Sequence, residues 1–187
     1  MANFSTPDAF PRPVHFSRKV SVGSSPTWLK VFLAIGALLF VALTIFLATQ
    51  IRGNVGSWGL FGMAFGAVML SLPLHEILHL VAHPKFGTTR TSRFGFGIID
   101  RKPAIWVGYA DWVSRTRAVF VLTLPFFVLA LVFPVTALLV DPRAGVLFAS
   151  IGAANVLSSH SDLKVALAIK LSSATSVFEA DSGFYEK

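Results

Sequence analysis

Three ionisable side chains stand together inside a long apolar run, in the stretch His75-Glu76-Ile77-Leu78-His79. On a helix, residues at i and i+4 lie on one face, so His75 and His79 can offer imidazole nitrogens to a single Zn2+. The Glu that follows the first His falls beside such an ion, where its carboxylate can take a proton from a zinc-bound water. Ionisable groups in a segment apolar enough to cross a bilayer are costly, and those that occur usually face the protein interior and serve a function. The bland alternative is two hydrogen-bonded histidines and a glutamate at a helix–helix contact.

A catalytic zinc takes three protein ligands and keeps one position for water. The chain has no cysteine, so the third ligand must be a histidine or a carboxylate. His83 continues the i, i+4, i+8 series, but eight residues of helix rise about 12 Å, too far for His75 and His83 to share one ion. Pro84 follows it and marks a helix end. Zincins with a third His downstream on the same stretch need a Gly-centred turn there, and this chain has Leu80-Val81-Ala82. Asp162 is the better candidate: it is the one acidic residue of the last apolar region, follows Asn155, and lies among Ser158, Ser159, His160 and Ser161. His160 is the alternative ligand, and the structural alternative for Asp162 is a cap on a helix starting at Leu163. Asn155 can hold a substrate carbonyl, make a supporting hydrogen bond around the site, or be a plain polar contact between helices.

The elements that must position these residues are membrane helices. Hydrophobic residues make up 54% of the 187 and charged ones 13%, with mean hydropathy +0.69, far from a soluble domain. Four apolar segments run from about Trp28 to Ile51, Trp58 to His83, Ala118 to Val140, and Gly145 to Leu157 with a continuation toward Leu171. The first three have the roughly 20 residues that cross the hydrocarbon core. The fourth stops short at Ser158–Asp162 and reads as a shielded, broken helix. The expected fold is an all-α integral membrane protein of about four transmembrane helices, with a small cytosolic β-hairpin loop and a C-terminal tail. Residues 1–26, with Pro7, Pro11, Pro13 and Pro26, read as a flexible cytosolic arm, and 27–187 as the membrane-embedded domain. No secretory signal is expected, because the first apolar run is too long and no small-residue cleavage site follows it.

The formal charge of +7 raises nucleic acid as a partner, but the placement of the basic residues points to membrane topology instead. With a cytosolic N-terminus and four crossings, four basic residues up to Lys30, seven between Lys85 and Arg117, and three from Lys164 onward lie inside. Only Arg52 and Arg143 lie outside. That asymmetry orients the chain and puts His75, His79 and Asp162 at similar depth, with both termini cytosolic. In the loop of about 85–117, Ser92–Ile99 and Ala104–Tyr109 read as two strands around Asp100-Arg101-Lys102-Pro103. Phe94, Phe96, Trp106, Tyr109 and Trp112 are expected at the membrane interface. The hairpin edge suits an extended substrate; equally, its basic residues suit anionic headgroups. Pro73 should kink the second helix, and Gly59, Gly62 and Gly66 should allow close helix packing.

A membrane-embedded His-Glu-x-x-His helix followed by Asn155 and Asp162 on a later apolar segment resembles the site-2 protease class of intramembrane zinc metalloproteases. More closely, the chain resembles small bacterial zincin-like membrane peptidases long classed as a domain of unknown function. The resemblance covers about residues 60–187. It rests on His75–His79, the aromatic loop from Arg93 to Arg117, Pro125-Phe126-Phe127, Ser161-Asp162, and the tail from Val177 to Phe184. It implies a zinc-dependent intramembrane metalloprotease of the bacterial inner membrane that hydrolyses peptide bonds of membrane proteins. Zinc-bound water would be the nucleophile, Glu76 the general base and acid, and His75, His79 and Asp162 the ligands. The chain departs from the site-2 pattern: no Pro lies between Asn155 and Asp162, and Leu163 stands where that class has Gly.

The competing function is a non-catalytic divalent-metal-binding membrane protein, acting as a sensor, assembly factor or transport accessory. Glu76 between the ligands favours an enzyme, because a structural metal site needs no base. Haem fits the pattern less well, since two His at i, i+4 on one helix cannot take both faces of a porphyrin. The expected partners are a membrane-protein or peptide substrate and the lipid bilayer, not nucleic acid; self-association is left open.

Overall fold

The run from Phe32 to Leu47 has Leu, Phe, Val, Ile and Ala on every side, and can be stable as a helix only where all its faces meet apolar surroundings. In the computed structural model, which describes residues 18–51, 56–99, 102–180 and 183–187, that run lies in helix α1 (Thr27–Ile51). Helix α2 spans Ser57–Ala82 with Pro73 inside it. The third apolar segment is α3 (Arg115–Phe127), a π-turn through Val128–Val132, and α4 (Phe133–Ala137). These three segments are each long and apolar enough to cross a membrane. Leu38 at 69% and Leu39 at 65% exposure are among many large apolar side chains turned outward, as lipid-facing helices require and water-facing ones avoid. The fourth segment is α5 (Pro142–Ser158) and α6 (His160–Leu171), interrupted at Ser159, within the stretch where a break is expected.

The chain divides into two compact units, one of 1–24, 76–122 and 162–187, the other of 25–75 and 123–161. Helices α2 and α3 contribute to both units.

In the second unit, α1 runs along α5 around Leu47, Ile51, Ala137, Val146 and Ala149. Asp141 starts α5 by accepting the Arg143 N–H at 2.9 Å, an N-terminal cap. Small residues let the elements approach: a Cβ on Gly152 would stand 2.9 Å from Pro134 Cγ and 3.1 Å from the Leu129 carbonyl oxygen. The expectation for the second helix is different in outcome, because a Cβ on Gly62 or Gly66 meets nothing within 4 Å. Those glycines face open space instead of a neighbouring helix.

The first unit holds the strands. The hairpin pairs β2 (Ser92–Ile99) with β3 (Lys102–Tyr109), Phe94 opposite Val107; its turn residues 100–101 lie outside the described residues. A second, four-stranded antiparallel sheet is not foreseen by the sequence reading. It joins β1 (Arg18–Ser21), β6 (Gly183–Glu186), β5 (Ser176–Ala180) and β4 (Val113–Ser114) in that order. The segment read as a flexible arm therefore ends in a strand, with Val20 opposite Phe184; residues 1–17 lie outside the described residues. Buried Val177 and Phe184 from this sheet pack with Ala118 of α3, Ile169 of α6 and Ala174. The fold is mostly helical, as expected, with a four-stranded sheet whose strands come from distant parts of the chain.

Candidate metal centre

Helix α2 fixes the first relation: His75 and His79 are one turn apart and both buried, at 5% and 7% exposure. Within the first unit, His79 Nε2 lies 3.2 Å from Asp162 Oδ2. Two ligands on a tetrahedral zinc, each about 2.0–2.2 Å from the ion, stand about 3.3 Å apart, so this pair has the spacing of one edge of such a site. One ligand atom from each of His75, His79 and Asp162 can be chosen so that all lie within 4.8 Å of one another.

The other ring nitrogens decide how the histidines point. His79 Nδ1 lies 3.0 Å from the Val121 carbonyl oxygen. A carbonyl only accepts, so Nδ1 carries a proton, and Nε2 is the atom turned toward the Asp162 carboxylate. His75 Nδ1 lies 2.7 Å from Asn155 Oδ1. The Asn155 amide is oriented by its Nδ2, which donates to the Pro125 carbonyl at 3.1 Å, so Oδ1 must accept from His75. Both rings thus carry a proton on Nδ1 and leave Nε2 as the atom an ion would take, the arrangement that metal-ligating histidines usually adopt. Two neutral imidazole nitrogens and one carboxylate oxygen are a donor set that fits zinc.

Asp162 lies in the first turn of α6, which begins at His160. The alternative role, a cap on a helix starting at Leu163, does not describe this position, where the helix dipole favours a carboxylate inside the first turn. His160 does not join the metal-capable group, and its buried Nε2 has no hydrogen-bond partner among the described residues. Glu76 sits between the two histidines in sequence, and its Oε2 accepts the Val107 N–H of β3 at 3.0 Å. Asn155 is fully buried and contacts His75.

His83 lies just past the end of the membrane-spanning helix. After it, Lys85 and Phe86 take left-handed φ values of 53° and 56°, which stops α2 sharply. The His83 carbonyl accepts from Arg117 Nη2 at 2.9 Å, and its ring lies 5.3 Å from that of Tyr109. Burial pushes the His83 imidazole down to about 4, helped by His79 and Arg117 nearby. Tyr109, expected at the membrane interface, is instead buried against His83, and Trp112 packs edge-on against Phe178. Phe94 and Phe96 are exposed, as expected of interface residues. Of Trp106 only the backbone is described.

A family model described as "putative zincin peptidase" matches residues 68–177, more than half of the chain. The chain belongs to this family. Comparison with curated proteins and with solved structures gives no match. Zincins are zinc peptidases built on a His-Glu-x-x-His helix, and the matched region contains His75, Glu76, His79, Asn155 and Asp162. Family membership implies zinc, and the clustered His75, His79 and Asp162 are side chains able to hold it. Sequence reasoning missed the backbone groups of this candidate site: the carbonyls of Val121 and Pro125 and the amide of Val107. Only a proline inside an apolar helix signalled any of them.

Proposed function

We propose that this family member is a zinc-dependent intramembrane peptidase, with His75, His79 and Asp162 as ligands and Glu76 as the proton-transferring residue. The observation that carries the reading is the convergence of two Nε2-presenting imidazoles and one carboxylate, with Glu76 on the same helix. When bound, zinc lowers the pKa of a water and polarises a peptide carbonyl. Glu76 accepts the proton of the attacking water as its oxygen bonds to the carbonyl carbon. It returns that proton to the nitrogen as the C–N bond breaks. The Val107 N–H fixes the Glu76 carboxylate while it waits.

The hairpin is the natural place for substrate. Ala110 N–H donates toward β2, to the Thr91 carbonyl at 2.8 Å. Amides alternate along a strand, so those of Ile105, Val107 and Tyr109 point to the other edge of β3, where Pro103 has none to offer. An extended peptide added along that edge lies beside Glu76.

The sheet supports four crossings with both termini on one side; the bacterial inner membrane is what the family resemblance implies. Strand β1 precedes the first apolar helix, β4 lies between the second and third, and β5 and β6 follow α6. All four are hydrogen-bonded in one sheet, which must lie on one side of a bilayer because exposed strand groups are not tolerated in lipid. The broken α5–α6 segment then returns the chain, and the basic residues choose the cytosolic side. Reporters at both termini and near Arg101 should read cytosolic and one near Asp141 external; an external signal from the Arg101 loop contradicts this topology.

The experiment that separates peptidase from metal binder is Glu76→Gln. It should retain zinc and fold while cleavage of a membrane-protein substrate falls about 100-fold or more. Unchanged cleavage would remove Glu76 as the base, and the non-catalytic metal-binding reading would then account for the site.

A further inference from the structure

Pro125 sits inside α3, with its side chain almost fully buried. In an α-helix the carbonyl of Val121 would accept the amide of residue 125, but proline has no N–H to give. That carbonyl, left without its helical donor, is the one that takes the His79 Nδ1–H at 3.0 Å. One turn further on, the carbonyl of Pro125 takes the Asn155 Nδ2–H at 3.1 Å, and Asn155 Oδ1 takes the His75 Nδ1–H at 2.7 Å. A buried carbonyl without a donor costs free energy, so the His79 bond satisfies the backbone of α3 as well as the ring.

We propose that Pro125 is a positioning residue for both histidines of the centre. Its missing amide opens the Val121 carbonyl to His79, and its own carbonyl clamps Asn155 and through it His75. This rests on the metal-centre reading above. Bending a membrane helix, the general effect of proline, does not explain why the two carbonyls it touches are those that hold the histidine rings. Pro134 makes the contrast. It too lies in the third apolar segment and is buried, but the carbonyl four residues before it belongs to Ala130, which holds no ring among the described residues.

The test is Pro125→Ala, with Asn155→Ala and Pro134→Ala beside it, in detergent-solubilised full-length protein. The first substitution restores a backbone amide that competes with His79 for the Val121 carbonyl. In metal-free protein, the 15N signal of the His79 Nδ1–H should then shift, while Asn155→Ala should disturb His75 and leave His79. Zinc affinity, by chelator competition, should fall about 10-fold for each, the lower range for lost supporting partners of a metal site. Thermal stability of Pro125→Ala should hold or rise, since alanine is the better helix former, and Pro134→Ala should leave both rings and the affinity unchanged. An unaltered His79 Nδ1–H signal and zinc affinity in Pro125→Ala would overturn the proposal. Wild-type protein that binds no zinc would instead overturn the metal centre, and the ring signals would still report on Pro125.

Discussion

His75 and His79 carry the same ring, one turn apart on one helix, and they belong to the two different units of the chain. In the apolar second unit His75 is held by a side-chain amide, Asn155, itself tied to backbone. In the first unit, which contains both sheets, His79 is held by a backbone carbonyl and faces a carboxylate, Asp162. The packing differs in the same sense. The second unit brings backbones together at Gly145, where a Cβ would stand 2.8 Å from the Ala137 carbonyl oxygen. The first packs the sheet residues Val177 and Phe184 against Ile169 of α6. Where water is scarce, a polar ring needs a partner that is itself satisfied, and an amide can accept on one atom while donating from the other. Nearer the polar sheets a charged ligand is tolerable, because it sits at a helix N-terminus and is half-buried.

That contrast is sharpest if the charged side of the pair can be removed without touching the other. Asp162→Asn should weaken zinc about 10-fold or more, at least as much as loss of a supporting partner, measured by chelator competition. It should leave the His75–Asn155 contact intact, seen in the His75 ring shifts. His160→Ala should have the smaller effect, because His160 stands outside the metal-capable group. The reverse ranking would make His160 the ligand and Asp162 its orienting partner, and the comparison between the two units would have to be redrawn.

The ligand pair was legible because i, i+4 spacing fixes its geometry locally, whatever the rest of the chain does. Asp162 was legible for another reason: a lone acid in an apolar region stands out, and the helix break beside it is written in Ser158-Ser159-His160-Ser161. Asn155 was visible as a polar residue, but its role was not, since three uses fitted the sequence equally. The partners of the rings were hidden because Val121 and Pro125 act through backbone carbonyls that no side-chain pattern marks. The hairpin was readable from its turn residues, with β3 starting two residues earlier than expected at Lys102. The four-stranded sheet was hidden because its strands are of two to five residues and come from three distant stretches of the chain. Pairings so short and so distant leave little periodicity to read.

The central claim is that His75, His79 and Asp162 hold one zinc ion, and the most direct measurement is the metal content of purified protein. Wild-type protein equilibrated with zinc and passed through a desalting column should carry about one Zn2+ per chain, by elemental analysis. His75→Ala and His79→Ala should each lose it, because two remaining ligands bind weakly against the three that a stable site uses. Folded wild-type protein that retains no zinc, or alanine variants that retain it at the wild-type level, would contradict the account.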